Sequence, residues 1–328
     1  MIRTSAPVRI DFAGGWTDVP PFAVREGGVV VNAAIDLRVE AEFTPGGDAI
    51  LVLAEDLDQA IRVAGAGDLV SDGRLELHKA ALRMFPTGPG VLRTNSQVPP
   101  GSGLGSSGAL DVALVTTLAA ARGESLTPEE AADHGWQLEA VEAGIAGGRQ
   151  DQYAAALGGF HRFTFGGEDV GIESLTLDPG FLAELGRRTV ICYTGRSRVS
   201  GDTIARVMGA YERGDASVTG ALRELRVIAD RMAAALLAGD LARVAELLSA
   251  NWACQQRLDP GMRTAEMASL ESAMGAAGAL GGKAAGAGAG GSMFFIMGGD
   301  VETGIEAARR AGSRVLHTRW AGTGVVAC

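Results

Sequence analysis

The chain has 328 residues, of which 47% are hydrophobic and 21% charged, with 48 glycines and a formal net charge of −10. That length accommodates two domains or one large one, and the composition is ordinary for a globular protein. The acidic balance argues against nucleic acid as the main partner, because a phosphate backbone demands clustered Lys and Arg.

Cys192, Cys254 and Cys328 share no metal-like or redox-like spacing, and their odd number argues against a disulfide framework. The first eleven residues lack the apolar core of a signal peptide, and no uncharged apolar run approaches the ~18 residues of a membrane span. The expectation is a cytoplasmic enzyme or binding protein with no membrane partner.

Residues 3–14 read as a strand that ends in a glycine turn. The loop Gly14-Gly15-Trp16-Thr17-Asp18-Val19-Pro20-Pro21-Phe22 is dense in chain-bending residues. Residues 29–43 form a strand, since Ile35, Leu37, Val39, Ala41 and Phe43 alternate with Asp36, Arg38, Glu40 and Glu42. Residues 49–54 and 59–63 read as companion strands, 75–85 as a helix and 90–98 as a strand. Residues 109–121 are apolar nearly all round, which predicts a buried helix. Thr127, Pro128 and Glu130 spell a capping box for a helix running to about residue 143, carrying Glu139 and Glu142. A second glycine-punctuated stretch, residues 144–153, leads to a short helix and a strand at 160–165.

Turn residues collect between 166 and 186, which marks a domain boundary. Beyond it, 187–194 reads as a strand, and 202–213, 217–238, 241–257 and 264–278 read as helices. The run Lys283-Ala284-Ala285-Gly286-Ala287-Gly288-Ala289-Gly290-Gly291 precedes a strand at 292–297, a helix at 301–311 and short strands at 314–319 and 324–327. There is no internal repeat, and the absence of strict βα alternation favours an α+β fold.

The stretch Pro99-Pro100-Gly101-Ser102-Gly103-Leu104-Gly105-Ser106-Ser107-Gly108 sits between a strand and a helix. Such a loop leaves backbone N–H groups unpaired at a helix N-terminus, where partial positive charge favours an anion. Gly103 to Gly108 matches the G-x-G-x-x-G fingerprint, but a second helix follows where a dinucleotide fold needs a strand with an acidic end. No Gly-Lys-Ser/Thr follows either, which excludes the P-loop pattern. A phosphate cradle and a structural glycine turn remain, and the paired hydroxyls of Ser106 and Ser107 favour the cradle. Asp151 has two readings: a proton acceptor kept ionised by the neighbouring Arg149, or an N-cap for its short helix. Glu139 is by itself an ordinary helix acid, and the glycines at 286–291 permit close backbone approach.

Three stretches together resemble the GHMP kinases, the superfamily of galactokinase, homoserine kinase, mevalonate kinase and phosphomevalonate kinase. They are Pro7-Val8-Arg9-Ile10-Asp11-Phe12-Ala13-Gly14-Gly15-Trp16-Thr17-Asp18, the loop Pro99 to Ala109, and the run Lys283 to Gly291. Gly148-Arg149-Gln150-Asp151-Gln152-Tyr153 and Tyr193-Thr194-Gly195-Arg196-Ser197-Arg198 look like the branch of D-glycero-D-manno-heptose 7-phosphate kinases and L-fucose kinases, which phosphorylate an anomeric hydroxyl. The resemblance implies a two-domain α+β fold: a ribosomal-protein-S5-like N-terminal domain (1–175) that binds ATP and holds the catalytic residues, and a ferredoxin-like C-terminal domain (176–328).

The same resemblance implies roles. Pro100, Gly101, Ser102, Gly103, Leu104, Gly105, Ser106, Ser107 and Gly108 would wrap the ATP phosphates, and Ser107 and Glu139 would hold Mg²⁺. Asp151 would orient or deprotonate the sugar hydroxyl, with Arg9 and Arg149 offsetting phosphoryl charge. Gly14, Gly15, Trp16, Thr17 and Asp18 would hold sugar hydroxyls, with Gly286 and Gly288 closing the site. Arg196, Arg198, Arg257 and Lys283 are candidates for a distal phosphate. The expected reaction is C1 phosphorylation of a heptose 7-phosphate or a related C7/C8 sugar phosphate by a possible homodimer. Alternatives are a neutral sugar such as L-fucose and a non-catalytic sugar or nucleotide sensor.

Three positions depart from the related sequences. Gly108 stands where alanine is common, Arg149 where heptose-phosphate kinases carry lysine, and Gln255 where a lysine follows the Asn251-Trp252 pair. A lysine at the last position that served the distal phosphate would be missing here.

Overall fold

The computed structural model describes residues 1–167, 169–196 and 201–327. The chain opens with β1 (Ile2–Ala13), α1 (Phe22–Glu26), β2 (Gly28–Pro45), β3 (Ile50–Ala54), β4 (Gln59–Val63), α2 (Glu76–Met84) and β5 (Gly90–Ser96). α3 (Ser106–Ala121), α4 (Pro128–Gln137), α5 (Gln150–Leu157), β6 (Phe160–Phe165) and β7 (Val170–Ser174) follow. Next come α6 (Pro179–Arg188), β8 (Thr189–Tyr193), α7 (Gly201–Glu212), α8 (Ala216–Leu237), α9 (Leu241–Gln256) and α10 (Ala265–Ala276). The last elements are β9 (Ala279–Ala284), β10 (Ser292–Met297), α11 (Val301–Arg310), β11 (Arg314–Leu316) and β12 (Val326–Ala327).

Among the described residues the strands form two sheets. The larger has eight strands in the order β12-β1-β2-β5-β3-β4, with β6 on β2 and β7 on β6. Only β3 with β5 is parallel in it, and the four-stranded sheet β11-β8-β10-β9 is antiparallel throughout. This is the expected α+β arrangement, with no series of βαβ crossovers.

The sequence pattern explains where β1 and β2 sit. In β2 the alternating half buries Val39, Ala41 and Phe43, while the stretch Val29 to Ala34, apolar except for Asn32, is buried on both faces. β1 is likewise buried on both faces from Thr4 to Ala13, packed by α3 and α5 and by α8 and α9. Interior β1 is therefore the strand from which site residues can project under cover.

Several expectations change. The capping box forms, with Thr127 Oγ1 accepting from the Glu130 amide at 3.2 Å and the Glu130 carboxylate from the Thr127 amide at 2.8 Å. The helix it starts does not run unbroken to residue 143, because residues Leu138–Glu142 form a π turn. That wider turn buries Leu138 and Glu139 together and leaves Val141 exposed. The turn-rich stretch 166–186 contains β7 and most of α6, where Asp178 accepts from the Phe181 amide at 2.9 Å ahead of Pro179. Arg187 and Arg188 consequently end a helix instead of beginning a strand.

Lys283 and Ala284, read as part of a glycine loop, close β9. The helix expected at 109 begins at Ser106, the one expected to reach 278 ends at Ala276, and β11 and β12 are shorter than read. The chain leaves the larger sheet at Ser174 and enters the smaller at Thr189, yet its end returns. Trp320 bridges Ile35, and Val326 and Ala327 pair with Ser5 and Thr4.

The two sheets are joined by a buried ion pair. Lys283 Nζ donates to the Asp11 carbonyl at 2.5 Å and to Asp11 Oδ2 at 2.9 Å, with neither side chain more than 2% exposed. Burial pushes the Lys283 amine below its usual range, and Asp11 opposes that. Phe12 beside it meets Phe294 edge-on at 5.4 Å. Lys283→Met strands the Asp11 carboxylate in the interior and should cost about 3–5 kcal/mol in chemical denaturation. The double variant Asp11→Asn/Lys283→Met should recover part of that loss.

Candidate active site

Glycine shapes the first wall of the site. Gly101, Gly103 and Gly105 take φ of 67°, 75° and 73°, where a side chain would be strained. The turn delivers Gly105 as the N-cap of α3, and no side chain caps that helix. The first amides of α3, from Ser106 to Gly108, are left for an anion. Ser102 is fully buried and its Oγ has no hydrogen-bond partner.

Arg9 of β1 lies against this turn. Its Nε donates to Asp151 Oδ1 at 2.8 Å, and its Nη1 donates to the carbonyls of Gly103 at 2.9 Å and Ala285 at 3.0 Å. Its own amide donates to the Leu104 carbonyl at 2.9 Å. Burial disfavours the charge, but Asp151, with Asp11 and Asp18 adding to it, holds the guanidinium above its ordinary range.

Asp151 is the second residue of α5, and Arg149 occupies the N-cap position. The N-cap reading of Asp151 is therefore excluded. Its carboxylate pairs with Arg9 and keeps a quarter of its side-chain surface (25%) exposed, enough to meet a ligand. Gly108 makes this placement possible: a Cβ there would lie 2.6 Å from Asp151 Cβ and 2.9 Å from its carbonyl carbon. Arg149 spreads its guanidinium over the Trp136 ring, 4.0 Å from the centroid. The contact first ascribed to Arg149, a cation against Asp151, is made by Arg9.

A second acidic group lies beside the first. Glu139 Oε2 accepts from Gln152 Nε2 at 2.7 Å, and the Ser107 hydroxyl hydrogen-bonds the same carboxylate. The Gln152 amide also donates to Asp111 Oδ2 at 3.2 Å. Burial, then the charge of Asp151, pushes Glu139 up to about 7. Burial, with Glu139 adding to it, pushes Asp111 well above the carboxylate range. Sequence reasoning passed over Asp111 and Gln152, although an aspartate inside an otherwise apolar helix was the signal available.

The Gly14 to Asp18 loop forms the opposite wall. The Gly14 amide donates to Asn251 Oδ1 at 3.0 Å, and Trp16, at φ 83°, donates from Nε1 to the Ala287 carbonyl at 3.1 Å. Thr17 is turned inward, its hydroxyl 2.7 Å from the Gly14 carbonyl and 2.9 Å from that of Val29, so it fastens the loop to β2. Gly15 stands against the Asp11 carboxylate. Asp18 accepts from the amide and from Nε2 of Gln150, each at 3.2 Å. Burial and the charge of Asp151 push Asp18 up to about 6.

The late glycine run closes over the first. A Cβ on Gly286 would lie 2.4 Å from the Gly103 carbonyl, and the Ser292 amide donates to the Ser102 carbonyl at 2.7 Å. Gly288 packs on Met262 instead, its hypothetical Cβ 2.7 Å from Sδ. Of the distal cations, Arg196 is exposed and faces Glu266 at 3.4 Å, and Arg257 pairs with Glu224 at 2.6 Å. Lys283 is withdrawn from that role by its burial against Asp11. Arg198 lies outside the described residues.

Residues 75–159 match the family model described as the GHMP kinases N terminal domain, and 232–314 match GHMP kinases C terminal. The chain is 31% identical over 304 residues to a D-glycero-alpha-D-manno-heptose 7-phosphate kinase of Campylobacter jejuni, covering 90% of this chain and 89% of that one. It is 27% identical over 282 residues to a bifunctional fucokinase/GDP-fucose pyrophosphorylase of Arabidopsis thaliana, covering 79% of this chain and 26% of that protein. In fold it is similar to a D-glycero-D-manno-heptose 1-phosphate kinase from Bacteriodes thetaiotaomicron, with TM-score 0.81, 24% identity and coverage of 100% and 99%. With both family regions matched in order, and with that identity spanning nine-tenths of the chain, the protein belongs to the GHMP kinases.

Proposed function

We propose that this kinase transfers the γ-phosphoryl group of ATP to the anomeric (C1) hydroxyl of a heptose 7-phosphate or a related C7/C8 sugar phosphate. The observation that carries the reading is the 2.8 Å pair of Asp151 and Arg9, seated between the uncapped start of α3 and the Gly14 to Asp18 loop. Similarity to the Campylobacter heptose 7-phosphate kinase supports the acceptor class. A neutral acceptor such as L-fucose is the second reading, supported by the Arabidopsis relative and by the loss of Lys283 from the distal cations. We assign 1–175 to nucleotide binding and catalysis and 176–328 to closing the site, with 326–327 completing the first sheet.

The residues present fit both nucleotide phosphates and a divalent cation. The orphaned Ser102 Oγ and the uncapped α3 amides suit phosphate oxygens. The Ser107–Glu139 pair, whose carboxylate is pushed up to about 7, carries a negative potential that Mg²⁺ would relieve. Among the described residues no cluster of three or more His, Cys, Asp or Glu side chains suits a metal, so water and phosphate would complete the shell. Bound ATP and Mg²⁺ supply the phosphoryl group and neutralise its charge.

The chain's own residues do the remainder. Asp151 accepts the C1 hydroxyl proton at its exposed oxygen while Arg9 holds the carboxylate in place. Asp18 accepts a hydrogen bond from a sugar hydroxyl, and Trp16 and Gly286 shut the site against water.

ADP release measured over neutral sugars and terminally phosphorylated C6 to C8 sugars tests the acceptor class, and phosphorus NMR should place the new phosphate at C1. ATP binding without ADP release on any sugar would favour the sensor instead. Asp151→Asn should lower kcat by about 10²–10⁴-fold; near-native turnover would exclude Asp151 as the base.

Gly108→Ala should push Asp151 aside and lower kcat by about 10²-fold while the KM for ATP stays put. Asp18 should set a pH dependence. Its carboxylate, raised to about 6, takes up a proton as pH falls through 6, so the acceptor KM should climb below that pH. The raised value means the fold itself loses nothing in that window and gains slightly. Asp18→Asn should flatten the KM profile in steady-state assays between pH 5 and 8, an interval of about one to two units on either side of the shifted value.

A further inference from the structure

Two carboxamides on α9 stand apart from every role assigned so far. Asn251 and Gln255 are one helical turn apart on the same face, and each is 1% exposed. Each uses one half of its amide on a different glycine loop of the site. Asn251 Oδ1 accepts from the Gly14 amide at 3.0 Å, and Gln255 Nε2 donates to the Gly286 carbonyl at 2.7 Å. These partners fix the amide orientations, since a backbone N–H requires an oxygen opposite it and a carbonyl requires N–H. The other halves, Asn251 Nδ2 and Gln255 Oε1, have no hydrogen-bond partner. Each amide thus spends its one hydrogen bond on a loop of the site.

The two loops they hold have different work in the proposed reaction. Gly14 begins the turn that carries Trp16 and Asp18, on the acceptor side. Gly286 sits on the Gly103 carbonyl, which Arg9 also binds, and Arg9 pairs with Asp151. The loops are tied to each other by Trp16 Nε1 and the Ala287 carbonyl at 3.1 Å. α9 thus grips both sides of the site from a single face.

We propose that Asn251 and Gln255 are positioning residues, a two-point clamp in which Asn251 sets the acceptor loop and Gln255 sets the loop that braces Arg9. The inference rests on the kinase reading above for its kinetic consequences and on the hydrogen bonds alone for its structural ones. What position 255 requires is a donor that reaches the Gly286 carbonyl. In this chain Gln255 meets that requirement, and its donor is engaged with the loop.

Hydrogen–deuterium exchange on the full chain tests the clamp without reference to catalysis. Asn251→Leu should speed exchange by roughly tenfold within residues 14–18 only, and Gln255→Met should do so within 286–290 only, as expected when one local hydrogen bond is lost. Global acceleration or unchanged exchange in both variants would overturn the proposal.

Steady-state kinetics then separate the two sites. Asn251→Leu should raise the acceptor KM, and Gln255→Met should lower kcat, each by roughly tenfold, with the other constant near wild type. Asn251→His can present a neutral Nδ1 acceptor and Gln255→His a neutral N–H donor without burying a charge, so both should restore local exchange and the affected constant. Equal loss of kcat and KM in both variants, unrescued by those replacements, would show general structural damage instead. If wild type turns over no sugar, the kinase reading fails while the exchange experiment still decides the clamp.

Discussion

The site depends on one buried guanidinium. Arg9 binds the Asp151 carboxylate, the Gly103 carbonyl of the first glycine loop and the Ala285 carbonyl at the start of the second. It thereby joins β1, α5, the turn before α3 and the smaller sheet in one set of hydrogen bonds. A buried cation is tolerated when it is paired and hydrogen-bonded, and Arg9 has Asp151 as counter-charge and bonds from Nε and Nη1 at this junction. In the proposed reaction Asp151 would serve twice, as the group that meets the acceptor and as the anion that pairs with Arg9 at the junction. Lys283 and Asp11 repeat the arrangement one layer deeper, again pairing β1 with the second sheet.

The electrostatics of the site explain how a chain of net charge −10 can hold polyanionic phosphates. The attraction comes from helix amides and from glycine backbone, with Arg9 as the side-chain cation beside them. Around that cradle stand Asp18, Asp111, Glu139 and Asp151, and burial, with the charge of Asp151 adding to it, raises Asp18 to about 6 and Glu139 to about 7. Such a surplus of carboxylates is poorly suited to naked phosphate. It suits a phosphate that arrives with a divalent cation and an acceptor that arrives with hydroxyl donors. Under the proposed reading the two demands would fall on different carboxylates, Glu139 beside Ser107 and Asp18 beside Gly148.

Local pattern made much of this visible. The loop from Pro100 to Gly108, the capping box at Thr127 and the alternation in β2 are all written in neighbouring residues, and each forms as its spacing requires. Asp151 was only half legible. Its local context allows an N-cap; α5 instead starts one residue earlier with Arg149 at the N-cap, and the partner that gives Asp151 its role, Arg9, lies 142 residues away in the chain. Asp111 and Gln152 were hidden for the same reason, because their meaning lies in a shared hydrogen bond between α3 and α5. The π turn at Leu138 was illegible for another: a single extra residue per turn leaves no periodicity to read over five residues. The return of the last strand to β1 is a pairing of chain ends that no local signal encodes.

The glycine content takes on a different meaning once the site is seen. Gly15 meets Asp11, Gly108 meets Asp151, Gly148 meets Asp18, and Gly286 meets the Gly103 carbonyl, each closely enough that a Cβ would fall within 2.6 Å of its neighbour. Three of these four contacts are with a carboxylate side chain of the site. Glycine here supplies proximity more than flexibility: it lets backbone stand where a side chain would hold a carboxylate away. A carboxylate that packs against backbone has few rotamers left to it, so its position is set before any ligand arrives. The residues that define the chemistry are thus held by residues with no chemistry of their own. In this chain Gly15 and Gly148, whose Cβ would fall 2.3 Å and 1.8 Å from a carboxylate oxygen, should tolerate substitution less well than many of the polar groups around them.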